Sequence, residues 1–305
     1  MVRMPLLGST RLPRFRRAPT KISSIRLTLR DSEIIRHVAR HRFLRSPHIA
    51  ALTGDPPQQV LRRLQRLFHH GYLDRPRAQL TYFHEGGSQA IVYGLGNRGA
   101  EALSLDDEQS HPKVDWTVKN RDAKALYLRH TLAVADVMVA IELACRNRPD
   151  LRLIREEELA AAIALSEPFR WSVSANGQRL GLVPDKVFAL ERTDSERSYF
   201  FLEADRGTMP VARASLSQTS FFRKLVAYEA TWSQGVHRSR FGFHRFRVLT
   251  MANSSRRVEN LIAACRKLPR GHGLFLFTDA RALSHSDPLD LRWQTTIEGE
   301  TDTLL

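Results

Sequence analysis

The sequence predicts two domains of mixed structure, a small α+β domain followed by a larger α/β domain. Three observations predict it. The 305 residues are about twice the roughly 150 expected of one domain. Charge is unevenly placed: residues 1–77 hold 17 Lys and Arg against 4 Asp and Glu, a net +13, whereas the remaining chain holds 30 against 28. Finally, helix-spaced apolar residues dominate up to about residue 70, and strand-like runs alternating with helices dominate after about residue 150.

Residues 1–26 lack acidic side chains and show no periodicity, so they read as a mobile basic arm. Residues 27–110 form the first predicted domain. Asp31 caps a helix that carries Ile34, Ile35 and Val38 on one face. Ser46 and Pro47 open a second helix through Ile49, Ala50 and Leu52, closed by Gly54. Asp55 and Pro56 open a third, with Val60, Leu61, Leu64, Leu67 and Phe68 as its apolar positions and Gly71 as its stop. Two short helices joined by a tight Gly-containing turn are a helix-turn-helix. The outer face of the third helix offers Gln58, Gln59, Arg62, Arg63 and Arg66. Amides suit base edges and guanidiniums suit phosphates or guanines, so double-stranded DNA is the expected partner. Strands are expected at 72–75 and 90–95, with Gly86 and Gly87 in the loop between them and a closing helix at 97–103. The run Leu67-Phe68-x-x-Gly71-Tyr72-Leu73 followed by a hairpin resembles bacterial winged-helix proteins. Some modules of this kind bind protein instead, but the Arg excess favours DNA.

Residues 111–305 form the second predicted domain. A helix spans 122–146 and carries His130 near its start; a strand follows at 151–154, then a helical or irregular stretch at 160–165. Strands are expected at 181–190, 198–207, 246–250 and 273–278, with helices at 216–232 and 254–268. Asp185, Glu203 and Asp205 lie at or near the ends of apolar strands, where carboxylates are costly unless paired or metal-bound. Glu203 and Asp205 are two apart and share a face of one strand. If the strand carrying Asp185 pairs with theirs, three carboxylates meet, a hard-oxygen set suited to Mg²⁺ or Mn²⁺. Salt-bridge partners for the many arginines are an equal explanation for the same acids.

Several classes are excluded or disfavoured. No apolar run approaches the ~18–20 residues of a membrane span. The short apolar N-terminus runs into Arg11, Arg14, Arg16 and Arg17, a poor secretory signal, so a cytoplasmic location is expected. An organellar transit peptide shares that Arg-rich start, but polyanion binding uses the charge better. Cys145 and Cys265 are far apart in apolar sequence and form no Cys-x-x-Cys pair, which disfavours zinc and disulfides. No Gly-x-x-x-x-Gly-Lys-Ser/Thr run supports nucleotide hydrolysis.

Pro184-Asp185, a strand ending in Glu203-x-Asp205 and a helix bearing Lys224, in the order αβββαβ, resemble the PD-(D/E)XK nuclease superfamily. More narrowly, the chain is similar to the replication-relaxation family of plasmid and mobile-element proteins over about residues 27–270. The similarity rests on the N-terminal winged helix-turn-helix, His130, Pro184-Asp185, Phe201-Leu202-Glu203-Ala204-Asp205-Arg206-Gly207-Thr208 and Lys224-x-x-x-Tyr228. It implies Asp185 and Glu203 as ligands of Mg²⁺ or Mn²⁺, the Ala204 carbonyl completing the shell, and His130 joining the site. The superfamily's usual Lys, two residues after the Glu, is Asp205 here; Lys224 stands in if its helix packs beside the strand. Arg206 is assigned either to phosphate or to neutralising Glu203 and Asp205. Three activities stay open: a metal-dependent DNA nickase, a non-catalytic DNA-binding replication adaptor, and a transcription regulator with a degenerate nuclease fold. The implied setting is bacterial, on plasmid or nucleoid DNA, with replication or mobilisation proteins as partners and a homodimer allowed.

Overall fold

The first helix begins where its capping chemistry demands. Thr28 Oγ1 accepts the Asp31 N–H at 3.3 Å and Asp31 Oδ2 accepts the Thr28 N–H at 2.6 Å, so Thr28 is the cap and Asp31 the third helical residue that closes the box. This moves the expected cap three residues back. A computed structural model describes residues 12–82, 89–104, 114–164 and 169–305. The expected loop at Gly86 and Gly87, the first part of the N-terminal arm and the end of the 160–165 stretch lie outside the described residues. The chain divides into two compact units, Met1–Ala135 and Asp136–Leu305.

In the first unit, α1 (Leu29–His41), β1 (Phe43–Arg45), α2 (Ser46–Thr53) and α3 (Pro57–His69) follow one another closely. Gly54 ends α2 at φ 69°, the left-handed conformation expected of it, and Pro56 caps α3. Next come β2 (Leu73–Asp74), β3 (Val92–Leu95), α4 (Asn97–Ser104) and α5 (Trp116–Arg121). The sheet order is β1-β3-β2, antiparallel throughout, with Leu44 opposite Tyr93 and Leu73 opposite Leu95. Val60, Leu64, Leu67 and Phe68 turn α3 inward; Leu61, expected in the same stripe, falls outside it and is 44% exposed. Gly99 lets α4 approach the preceding turn, since a Cβ there would sit 2.2 Å from the Tyr72 carbonyl oxygen. Where a mobile arm was expected, residues 14–26 are laid along α3. Arg75 donates to the Arg14 carbonyl at 2.6 Å, the Ala18 N–H donates to His69 Nδ1 at 3.0 Å, and Arg63 donates to the Arg26 carbonyl at 2.8 Å.

The helix α6 (Ala125–Arg146) contains the division between the units. The second unit continues with β4 (Leu151–Arg155), α7 (Glu156–Ala162), β5 (Trp171–Ala175), β6 (Gln178–Leu182), β7 (Lys186–Arg192) and β8 (Arg197–Asp205). After these come α8 (Phe221–Ser233), α9 (Val236–Ser239), β9 (Phe246–Ala252), α10 (Ser255–Cys265), β10 (Phe275–Asp279), α11 (Ala280–His285), β11 (Trp293–Gln294) and β12 (Thr301–Asp302). Seven strands form a mixed sheet in the order β12-β11-β10-β9-β8-β7-β4. The pairs β4/β7 and β7/β8 are antiparallel, and β8/β9 and β9/β10 are parallel. One hydrophobic cluster joins Val187, Phe201, Val248 and Phe275 of this sheet to Leu225 and Tyr228 of α8 and Val258 and Leu261 of α10.

The strand expected at 181–190 is in fact two. Pro184 lacks the N–H a ladder needs, so β6 ends at Leu182 and β7 starts at Lys186. β6 pairs with β5 as a separate hairpin, turning at Asn176 (φ 49°) and Gly177 (φ 71°). Trp171 of that hairpin donates its indole N–H to Thr231 Oγ1 of α8 at 2.8 Å.

Candidate functional site

Beyond Lys186, which faces Leu202, the β7/β8 ladder gains one more rung: the Asp185 N–H donates to the Leu202 carbonyl at 3.0 Å. This sets Asp185 across from Glu203, and Asp185 Oδ2 accepts the Ala204 N–H at 2.8 Å. Glu203 is 1% exposed and sits on the face of β8 that also carries Phe201 into the core. Ser220 caps α8 by accepting the Arg223 N–H at 3.3 Å, and that helix brings Lys224 and Tyr228, one turn apart, to the same carboxylate. Lys224 Nζ donates to Glu203 Oε2, and the Tyr228 hydroxyl donates to Oε1 at 2.7 Å.

Electrically, the Lys224 ammonium faces the buried Glu203 carboxylate and the half-buried Asp185 carboxylate. Burial pushes the Glu203 carboxyl up to about 7; Lys224 and Tyr228 oppose that rise, and the Asp185 charge reinforces it. Burial works to lower Lys224, but the Glu203 and Asp185 charges together outweigh it and hold the ammonium above the usual lysine value. Burial, then the Glu203 charge, raises the Tyr228 hydroxyl well above its ordinary range, so Tyr228 stays a proton donor.

Asp205 shares the Glu203 face but is committed elsewhere. Arg257 of α10 donates to it through Nε at 2.6 Å and through the guanidinium tip at 3.3 Å, and the Gly207 N–H donates at 3.0 Å. Arg257 also donates to the Met209 carbonyl at 2.6 Å, tying the loop after β8 to α10. Among the described residues, no group of three or more His, Cys, Asp or Glu is arranged to hold a metal ion. The fold therefore brings together Asp185, Glu203, Lys224 and Tyr228, and gives Asp205 to Arg257. Nothing in the sequence singled out Arg257 among 47 Lys and Arg residues; only its place in the first turn of a helix opposite a strand end hinted at a role. His130 lies half-buried on the part of α6 that belongs to the first unit.

On α3 the five expected contact residues separate into two groups. Gln58, Gln59 and Arg62 are exposed, alongside Leu61. Arg63 is turned inward, gripping both oxygens of the fully buried Asp31 through Nε and the guanidinium tip. Burial would raise the Asp31 carboxyl, but the hydrogen bonds from Arg63 and Thr28 outweigh it and hold Asp31 below the usual aspartate value. Arg66 donates to the Ser24 carbonyl at 2.8 Å and to Ser23 Oγ at 3.3 Å. These two arginines anchor the N-terminal segment, a role their spacing did not suggest.

A family model described as replication-relaxation matches residues 35–245, from the middle of α1 to the residue before β9. No curated protein and no solved structure matches the chain.

Proposed function

The chain belongs to the replication-relaxation family, and from that premise we propose that it is a DNA-binding protein of plasmid or mobile-element replication with a nuclease-like centre. The observation that carries the reading is the meeting of Asp185, Glu203 and Lys224 at the end of the β7/β8 pair. The order α6, β4, β7, β8, α8, β9, interrupted by α7 and the β5–β6 hairpin after β4 and by the short α9 after α8, with β8 and β9 parallel, supports the PD-(D/E)XK assignment of the second unit. The α1–α3 helices and the β1-β3-β2 sheet support a winged helix-turn-helix. Gln58, Gln59 and Arg62 are then the side chains offered to the major groove.

Mg²⁺ or Mn²⁺ fits two of the three expected ligands. Such ions keep several waters and use one or two carboxylates together with substrate phosphate. Asp185 and Glu203, opposite each other on paired strands, suit that role, whereas Asp205 is neutralised by Arg257. The bound ion would supply Lewis-acid stabilisation of charge on the scissile phosphate. The chain's own groups do the rest. Lys224 holds a proton at Nζ and presents positive charge beside the carboxylates, where a phosphate oxygen would gain charge in the transition state. Tyr228 fixes the Glu203 carboxylate from the buried side. The reading puts the protein in the bacterial cytoplasm on plasmid DNA, working with replication or mobilisation proteins.

The test is nicking of supercoiled plasmid with Mg²⁺ or Mn²⁺ by wild type, Asp185→Ala and Glu203→Ala. Metal-dependent nicking, lost in both variants while DNA binding persists, supports the proposal. A second reading, a non-catalytic replication adaptor, is favoured by the engagement of both Glu203 oxygens and by Asp205 at the usual lysine position. Tight, salt-sensitive binding without nicking on cognate plasmid DNA would select it.

A further inference from the structure

The β5–β6 hairpin has no part in the centre just described, yet three arginines gather at it: Arg179 on β6, Arg170 just before β5 and Arg240 just after α9. Arg170, Arg179 and Arg240 line a cavity of about 410 Å³ together with Gly181 and Val183. Among the described residues its lining includes no carboxylate. Among the described residues none of the three arginines has an acidic partner: Arg179 donates to Ser172 Oγ at 2.8 Å, and Arg240 to the Arg170 carbonyl at 3.0 Å. Elsewhere in this unit about half of the arginines have an acidic partner, as Arg152 and Arg197 do in Glu191 and Arg257 does in Asp205. Three exposed guanidiniums around a concave surface, with no acid among the described residues lining it, form a phosphate-binding arrangement.

Its position along the chain gives the cavity a purpose. Trp171 faces Leu182 in the hairpin, so Arg170 falls opposite Val183, two residues before Asp185. Two residues span at most ~7 Å, roughly two nucleotide rises along one DNA strand. The hairpin is fixed there by the Trp171–Thr231 hydrogen bond to α8, the helix that supplies Lys224 and Tyr228. The geometry points to a DNA-backbone site on the β5–β6 hairpin, in which Arg170, Arg179 and Arg240 hold phosphates of the strand flanking Asp185 and Glu203. The site rests on the nuclease-like reading for its purpose, but not for its existence. Val183, 50% exposed, supplies apolar contact to the sugar face.

The experiment uses the full chain and a fluorescent 30-base-pair duplex over a salt series. Each lost phosphate contact lowers the slope of log affinity against log salt by about 0.9. The Arg170→Ala/Arg179→Ala/Arg240→Ala variant is expected to lose about two to three from that slope. In parallel, Val183→Cys carries a photo-crosslinker; Cys145 and Cys265 are buried with thiols pushed up to about 11 and about 12, so labelling favours the new thiol. Crosslinking to DNA is expected from Val183→Cys, persisting with Arg62→Ala at saturating DNA and lost with the triple alanine background. An unchanged slope, or no crosslink at saturation, overturns the site. Should the triple variant fail to fold, the single exposed change Arg179→Glu is read by the same crosslink, with loss expected and retention fatal. If wild type binds with the expected slope yet never nicks, the catalytic reading falls and the phosphate site stands. If wild type does not bind DNA, both fall.

Discussion

Glu203 is held by groups that disagree about its charge, and that tension can be measured. Its folded value, about 7, lies above the 4.5 of an ordinary glutamate. The folded state therefore binds more protons than the unfolded one between those values, and stability from this group is full below about 4.5 and lost as pH rises through 7. The urea midpoint of wild type is expected to fall between pH 5 and pH 7.5, and Glu203→Gln to flatten that decline. Equal slopes for the two proteins would remove the argument. Asp31 behaves in the opposite way, because Arg63 satisfies its charge. Arg63→Ala would strand a buried carboxylate and is expected to cost about 3–5 kcal/mol in equilibrium unfolding; a change under 1 kcal/mol would show that Asp31 finds other partners.

At the scale of elements, the hairpin anchor carries a prediction of its own. Thr231→Val leaves the buried Trp171 indole N–H without its acceptor and should destabilise the protein by about 1–3 kcal/mol. A melting curve identical to wild type would mean the hairpin is held by packing alone. Much at this scale was legible in the residues. The α3 stripe, the Gly54 stop, β8 and β9 follow from periodicity and punctuation; Asp185 and Glu203 could be named because acids ending apolar strands are unusual, and Lys224 only through the family resemblance. Other elements were not legible for specific reasons. β1 has three residues pressed between two helices, too short for a period-two pattern to register. The β5–β6 hairpin does carry a signal, Asn176-Gly177 between alternating apolar residues, but the end of β6 runs into the next apolar stretch across Pro184, which hides it. The pairing of Asp205 with Arg257 joins residues 52 apart, and no local rule picks one arginine from so many.

At the scale of the whole molecule, the charge division sets behaviour toward polyanions. The net charge of +15 is concentrated in residues 1–77, so affinity for DNA is expected to be steeply salt-dependent. Part of that charge is structural, since Arg63 binds Asp31 and Arg75 donates to Tyr93 at 3.1 Å inside the first unit. Arg62→Ala should lower the salt slope by about one, whereas Gln58→Ala should leave it unchanged and alter sequence preference by about 1–3 kcal/mol. Equal loss of slope in both would contradict the assignment of the α3 face. The central claim is that the Asp185–Glu203–Lys224 centre cuts a DNA strand. It is tested most directly by comparing wild type with Asp185→Asn, a near-isosteric change, in nicking supercoiled plasmid with Mg²⁺, DNA affinity being measured in parallel. The account predicts a loss of nicking of at least about 100-fold with affinity kept within about twofold; equal nicking by the two proteins, or none by wild type, would contradict it.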